Sequence, residues 1–236
     1  MPSRRQSADS WALMDRKQCK ERNTKLTVIY DNEVRKLGLK SGWGFSAVIE
    51  TEHESPILFD TGGDGSVLLY NMQELVIDPR QIGTIVISHG HGDHTGGLQS
   101  ILEVNGDAEI YVPSSLWGRL PGRKVTAVTG PMQICAGVFS TGELNAVEQS
   151  LVLKTDKGII VLTGCSHPGV NEIVWTASRF GKISGIVGGL HGFHDFDRLR
   201  GLSLICPCHC TQYKSEICRL FPDSYEECGA GLILEF

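Results

Sequence analysis

The stretch that decides the fold is His89-Gly90-His91-Gly92-Asp93-His94, within a chain of 236 residues. It directly follows Thr84–Ile87, a short apolar run of the kind found in strands that are covered on both faces. Side chains alternate along an extended segment, so His89 and His91 are expected to face one metal ion. Asp93 or His94 would then turn toward a second ion. The intervening glycines permit the close backbone approach that such a crowded segment needs.

Short strand patterns surround this motif, with helical patterns between some of them. Strands are predicted at Leu26–Tyr30, Phe45–Glu50, Pro56–Phe59, Thr84–Ile87, Glu109–Val112, Val125–Val128, Gln133–Ile134, Val138–Ser140, Ser150–Thr155, Gly158–Thr163, Ile183–Val187 and Ser203–Cys206. Helices are predicted at Val67–Leu75, Gln99–Val104 and Asn171–Phe180. The first three strands suggest an antiparallel meander, and Asp156-Lys157 suggests a hairpin turn. Because strands and helices do not alternate regularly, we expect an α/β (α+β) fold with packed sheets and outer helices.

Composition and charge favour a globular protein that acts on small molecules. Hydrophobic residues make up 41% of the chain and charged residues 21%, close to the average for soluble domains. A formal net charge of −5 gives no electrostatic reason to expect binding to nucleic acid or to an anionic membrane. One domain over residues 24–236 is expected, after a tail at residues 1–23 that shows nothing catalytic.

The sequence also bears on location. Residues 1–23 contain only a short apolar cluster, which does not resemble a secretory signal. No stretch approaches the roughly 20 apolar residues that a membrane helix requires. We therefore expect a cytoplasmic protein with reduced thiols, and the oligomeric state stays open.

Five of the eight cysteines fall late in the chain, at Cys206, Cys208, Cys210, Cys218 and Cys228. A structural zinc site is one interpretation, but Cys-Pro-Cys-His-Cys lacks the two-residue spacing of zinc knuckles and ribbons. If this segment is extended, Cys206, Cys208 and Cys210 all face away from His209.

The six-residue stretch matches His-X-His-X-Asp-His, the signature of the metallo-β-lactamase superfamily. The chain resembles that superfamily from about Leu26 to Phe236, which implies an αββα sandwich. In Ile57-Leu58-Phe59-Asp60-Thr61-Gly62 it resembles the strand that ends in Asp-Thr-Gly. The resemblance implies that Asp60 lies beside the metals and orients a ligating His. It also implies His209 as the last metal ligand, after a late strand.

One position departs from the superfamily. The segment Val161–His167 resembles the strand that ends in Thr-Gly-Asp, whose Asp bridges both metals, but here Cys165 takes that place. A thiolate is softer than a carboxylate and need not bridge two hard ions. The superfamily also has a His before this hairpin, whereas Gly142–Ser150 contains none. His167 is our candidate for that missing ligand.

A narrower resemblance concerns three segments, Thr163–His167, Gly188–His191 and Pro207–Thr211. They are similar to proteins named dihydropterin-methyl-ribofuranosylaminobenzene-phosphate synthases. His191 matches this branch, and we expect it to bind substrate or transfer a proton. His194 does not match, although it follows the same predicted strand and could share the cleft. His53, in a polar turn, is expected to be solvated.

Together these features predict a metal-dependent hydrolase of a small-molecule ester or phosphoester. Two divalent cations are expected, with zinc first and manganese or iron as alternatives. The expected metal ligands are His89, His91, Asp93, His94, Cys165, His167 and His209, and the expected catalytic residues are Asp60, Asp93 and His191. The alternatives are a synthase that condenses a phosphoribosyl compound with an aminobenzoate, an iron-dependent oxygenase, and a non-catalytic metal or redox sensor.

Overall fold

A computed structural model describes residues 24–52, 54–116, 118 and 123–236 of the chain. The predicted tail at residues 1–23 and the position of His53 lie outside the described residues. Within the described part, no helix combines the length and the apolar character needed to cross a membrane.

Two mixed sheets form the centre of the described structure. The first has the order β13-β1-β2-β3-β4-β5-β6, with strands β1 (Thr24–Tyr30), β2 (Ser46–Thr51), β3 (Glu54–Phe59), β4 (Thr84–Val86), β5 (Glu109–Pro113), β6 (Val125–Val128) and β13 (Ile233–Glu235). The second has the order β12-β11-β10-β9-β8-β7, with strands β7 (Met132–Cys135), β8 (Val138–Ser140), β9 (Leu151–Thr155), β10 (Gly158–Thr163), β11 (Ile183–Gly189) and β12 (Leu204–Cys208).

The strand directions agree with the sequence where it made a prediction. Strands β1, β2 and β3 pair antiparallel as a meander, and β9 and β10 form the predicted hairpin. Strands β3 to β6 are parallel to one another, as are β10, β11 and β12. The carboxyl ends of these parallel strands supply the loops that carry the functional side chains described below.

Helices cover the outer faces of the sheets. They are α1 (Gly65–Glu74), α3 (Leu98–Val104), α4 (Val170–Ala177) and α5 (Lys214–Leu220), while α2 (Gly92–Thr95) is a single turn after β4. Short 3-10 turns lie at Pro79–Gln81, Ser114–Leu116, Ser178–Phe180 and Phe196–Leu199. The predicted helix Asn171–Phe180 is therefore α4 followed by a 3-10 turn. Helix α5 was not predicted, because its N-cap is Tyr213, which makes no side-chain capping bond.

Three apolar clusters hold these layers together. The central cluster lies between the sheets and includes Phe45, Phe59 and Leu162, all fully buried. A second cluster packs α1 and α3 onto the first sheet, and a third packs α4 and α5 onto the second sheet. The result is the predicted αββα sandwich, because each sheet is apolar on its inner face and also beneath its helices.

The decisive motif differs from the extended segment that we expected. Residues Gly92–Thr95 form a single helical turn, and the Thr95 N–H donates to the carbonyl of His91. Asp93 and His94 therefore project from a helix, where neighbouring side chains differ in direction by about 100°. This turn, not strand alternation, separates them from His89 and His91.

Candidate metal centre

The candidate site residues gather where parallel strands of both sheets end. Asp60 follows β3 and His89 lies shortly after β4, in the first sheet. Cys165, His191 and His209 lie shortly after β10, β11 and β12 of the second sheet. Because the sheets are stacked face to face, these loops meet across one edge of the sandwich. Rigid strands thereby position a site that is built from loops.

His89 is one of two buried members of a first group of potential ligands. Its ligand atom lies within 4.8 Å of those of Cys165 and His167. The Nε2 of His89 is 3.2 Å from the Nδ1 of exposed His91, whose ring also contacts His167. Burial, aided by the neighbouring His94, lowers the pKa of His89 to about 3. The imidazole is therefore neutral near pH 7, which is the form that binds metals.

Asp93, His94, Cys165 and His209 form a second group, again with all ligand atoms within 4.8 Å of one another. The Nε2 of His94 is 3.2 Å from the Sγ of Cys165, and the Nε2 of His209 is 3.0 Å from Asp93 Oδ2. Burial and the neighbouring His94 lower the pKa of His209 to about 4. Two further residues hold His209 in place, one at its backbone N–H and one at its ring. Asp31 accepts the His209 N–H, and Asn32 Oδ1 lies 3.0 Å from His209 Nδ1.

A third group consists of Cys165, His191 and Cys210. His191 therefore lies at the site, and its Nε2 is 3.2 Å from the Nε2 of His167. The expectation that Cys210 faces away was wrong. Strand β12 ends at Cys208, and His209 has a left-handed φ of 48°, which interrupts the alternation and brings Cys210 to the same edge as His209.

Asp60 lies directly behind the second group. It is fully buried, and its Oδ2 is 2.7 Å from the Nδ1 of His94. The backbone N–H and the hydroxyl of Ser88 also donate to this carboxylate. With Nδ1 of His94 engaged in this way, Nε2 is left to face Cys165 and the site. This is the arrangement that orients a ligating His and raises its basicity.

Glu148 is a buried carboxylate of the site that the sequence did not identify. Its oxygens accept N–H groups from Gly164, Cys165, Ser166 and His167 and the hydroxyl of Thr163. Its Oε2 also lies 2.9 Å from His167 Nδ1 and 4.0 Å from His89 Nδ1. Burial opposes ionisation, but the hydrogen bonds from the His167 ring and from the backbone N–H groups lower the pKa of Glu148 to about 2.

Glu148 lies in Gly142–Ser150, the segment in which the superfamily has a His. The only available signal was an acidic residue in that segment, and this did not distinguish Glu148 from Glu143. Its carboxylate instead organises the turn that carries Cys165 and His167. In this chain, the segment Gly142–Ser150 therefore supports the site through the carboxylate of Glu148 and not through a His.

The other late cysteines and His194 lie away from these groups. Cys206, Cys208 and Cys228 are buried in the central apolar cluster, and none belongs to a ligand group found among the described residues. His194 is exposed and borders a surface pocket with Asp195 and Phe196, so it does not share the cleft with His191. The described cysteines outside residues 1–23 are all free thiols.

The donor atoms fit a cation. Ring nitrogens face one another or a thiol, as in the His89–His91, His167–His191 and His94–Cys165 pairs, each at 3.2 Å. One proton can satisfy one such pair, whereas a cation can satisfy three or four lone pairs at once. His91 contacts the first group without belonging to any of the three, so its role as a ligand stays a prediction.

Comparison with known proteins agrees with this geometry. Residues 44–117, which include the six-residue motif, match the family model described as the metallo-beta-lactamase superfamily. A 7,8-dihydropterin-6-methyl-4-(beta-D-ribofuranosyl)-aminobenzene-5'-phosphate synthase of Methanocaldococcus jannaschii is 28% identical over 264 aligned positions, which cover 82% of this chain and 90% of the relative.

Two solved structures extend the comparison. A metal-dependent hydrolase of the beta-lactamase superfamily is 27% identical, with a TM-score of 0.75 over 90% of this chain and 99% of that one. The metallo-beta-lactamase fold protein YhfI from Bacillus subtilis is 14% identical, with a TM-score of 0.67 over 92% of this chain and 100% of that one, and shows the fold alone. Residues 44–117 are therefore similar to the metallo-β-lactamase superfamily, and the chain has the metallo-β-lactamase fold.

Proposed function

We propose that this protein is a metal-dependent hydrolase of a small-molecule ester or phosphoester. The observation that carries the proposal is the pair of adjoining ligand groups that meet at Cys165, one with His89 and His167 and the other with Asp93, His94 and His209. Two groups at one edge are what a dinuclear centre requires. The many imidazole donors favour zinc, with manganese or iron as alternatives.

Two divalent cations, when bound there, would lower the pKa of a water molecule toward neutrality and polarise the carbonyl or phosphoryl oxygen of the substrate. The residues of the chain prepare the site for this chemistry. Asp60 fixes the orientation of His94, and Glu148 holds the turn that carries His167. His191 is half-buried beside His167, where its Nε2 can bind substrate or move a proton. His91 is exposed, so its side chain is accessible from solvent.

The charge of the chain supports a small substrate. The formal net charge of −5 opposes the approach of a polyanion such as nucleic acid. The proposal also places the enzyme in the cytoplasm, where the thiols of Cys165 and Cys210 would stay reduced.

The test combines metal analysis with a substrate screen. The unmodified protein is expected to carry transition metal and to turn over at least one member of a panel of phosphoesters, thioesters and lactones. Replacing both His91 and Asp93 by Ala should remove metal and turnover together. His194→Ala is the matched control, because this exposed His lies outside the ligand groups. Full metal occupancy in the double variant would contradict the assignment of the site.

A synthase is the second candidate, since the 28% identical relative is named as one. In that case a phosphoribosyl compound would react with an aminobenzoate in place of water. The two candidates differ in one measurement. A hydrolase consumes its ester or phosphoester with metal alone, whereas the synthase forms product only when the aromatic amine is also present.

A further inference from the structure

The thiol of Cys210 has no part in the proposed hydrolysis, yet it lies at the same edge of the sandwich. Strands β10, β11 and β12 are parallel neighbours, and Gly189 of β11 is paired with Cys208 of β12. His191 and Cys210 each come two residues after the end of these paired strands, at the same edge. The ligand atoms of Cys165, His191 and Cys210 all lie within 4.8 Å of one another.

The local backbone is shaped around this arrangement. A Cβ at Gly189 would lie 2.6 Å from Cys210 Sγ and 2.5 Å from the carbonyl oxygen of Gly164, so only glycine leaves room for the thiol. His191 and His209 both have left-handed φ values, 47° and 48°, which are uncommon for residues other than glycine. Such conformations persist only where the surrounding structure enforces them. Two thiols and one imidazole are thereby held together.

We infer that Cys165, His191 and Cys210 form a third cation position, selective for a soft ion. Two thiolates and one imidazole are a donor set preferred by soft and borderline metals, whereas hard ions prefer the carboxylate of Asp93. Three protein ligands leave a fourth position open. The inference goes beyond the proposed function and depends on it only in sharing Cys165, which belongs to all three groups.

Sharing Cys165 has a measurable consequence. A soft ion bound by Cys165 and Cys210 withdraws that thiolate from the second group, which then retains Asp93, His94 and His209. Loading the third position should therefore weaken zinc binding at the second group, whereas the hard ion Mn²⁺, which does not seek thiolates, should have little effect.

The test is a Cd²⁺ titration of the metal-free full chain, followed by ultraviolet thiolate-to-metal charge-transfer absorbance. Cys210→Ser is expected to lose about half of the absorbance that develops at the tightest site, since one of the two thiolates is removed. Its Cd²⁺ affinity should fall by roughly 10-fold or more, because the loss of a residue that only supports a metal ligand already costs about 10- to 100-fold. Cys218→Ser, which changes an exposed thiol outside the three groups, is the matched control and should behave as the unmodified protein.

A second variant keeps the test independent of folding. His191→Gln should lower Cd²⁺ affinity while retaining the full thiolate absorbance, a pattern that general unfolding would not give. Unchanged absorbance and affinity in Cys210→Ser would overturn the inference. Failure of the proposed function is a separate result, because absence of hydrolysis leaves the cadmium readout unaffected.

Discussion

At the scale of single residues, Glu148 shows how one buried carboxylate can organise a metal site without being a ligand in any of the three groups. Its oxygens gather four consecutive backbone N–H groups, from Gly164 to His167. Such bonds to a charged acceptor are about twice as strong as neutral ones. The carboxylate therefore fixes the turn on which Cys165 and His167 are presented.

We predict that Glu148→Gln destabilises the metal-free protein by about 1.5–3 kcal/mol near neutral pH, the range for hydrogen bonds to charged groups. The pKa of Glu148 is lowered from 4.5 to about 2, so its ionisation contributes stability that is fully present above pH 4.5. That contribution is lost as the pH falls toward 2. Denaturant unfolding at several pH values should therefore show a difference between protein and variant that shrinks on acidification.

The control for this measurement is Glu74→Gln, which alters an exposed carboxylate on α1. It should leave the free energy of unfolding nearly unchanged at every pH. A difference between Glu148→Gln and the unmodified protein that stays constant from neutral pH to pH 2 would show that the carboxylate charge does not act as described.

Asp60 gives a second prediction at this scale. Asp60→Asn replaces the acceptor that faces Nδ1 of His94, and an amide can no longer fix the ring as a carboxylate does. We expect metal affinity to fall by about 10- to 100-fold, the usual effect of removing such a partner. Calorimetric titration of the metal-free protein measures this. Asp156→Asn, in the exposed β9–β10 turn, should have no effect, and equal affinities in both variants would refute the role of Asp60.

At the scale of elements, the loop before β2 is locked onto the helical turn of the motif. The N–H of Phe45 donates to the carbonyl of Asp93, and the N–H of Gly44 donates to Asn32 Oδ1. Gly44 has a φ of 145°, and a Cβ there would lie 2.4 Å from the Asp93 carbonyl oxygen. A glycine is required here both by the backbone angle and by the close approach of α2.

We predict that Gly44→Ala separates this loop from α2 and weakens metal binding as well as stability. Gly38→Ala is a matched control, because Gly38 also has a positive φ, 95°, but no atom lies within 4 Å of its would-be Cβ. The control should lose about 1–2 kcal/mol from backbone strain alone and keep its metal affinity. Thermal denaturation and metal titration of both variants distinguish the two effects. Equal losses would mean that the contact with α2 is unimportant.

At the scale of the whole molecule, the site joins the two sheets. His89, Asp93 and His94 come from loops of the first sheet, and Cys165, His167 and His209 come from loops of the second. A cation held by both sets binds the folded chain and has no comparable site in the unfolded one. Binding should therefore stabilise the sandwich as a unit.

We predict that chelation lowers the melting temperature. At a free metal concentration of about 100 times Kd, binding adds about 2.7 kcal/mol. Each kcal/mol corresponds to about 2–4 °C for a chain of this size. Calorimetric melting with zinc and with a chelator measures the shift. The double variant with His91 and Asp93 replaced by Ala should show almost none, and an equal shift in that variant would place the stabilising metal elsewhere.

The sequence by itself determined where most strands lie along the chain and the class of packed sheets with outer helices, and it pointed to two parts of the site. Asp60 and the segment from His89 to His94 could be recognised because each is a short contiguous motif at the end of an apolar strand. The strand pattern is local as well, since the alternation of apolar and polar residues with a period of two can be read directly from the sequence. Strand β13 was missed because three residues, Ile233–Glu235, carry too little of that pattern.

Only the tertiary structure decided which residues from distant loops meet. Strands β5 to β8 lie between His89 and Glu148 in the sequence. No local sequence pattern indicates that Glu148 bonds to the backbone of Cys165 and His167. Cys210 reaches the site because the left-handed backbone of His209 ends the strand alternation. His191 lies at the site, whereas His194, three residues later, is exposed and lies outside the ligand groups. Backbone angles of this kind are imposed by packing, because isolated residues other than glycine do not favour them.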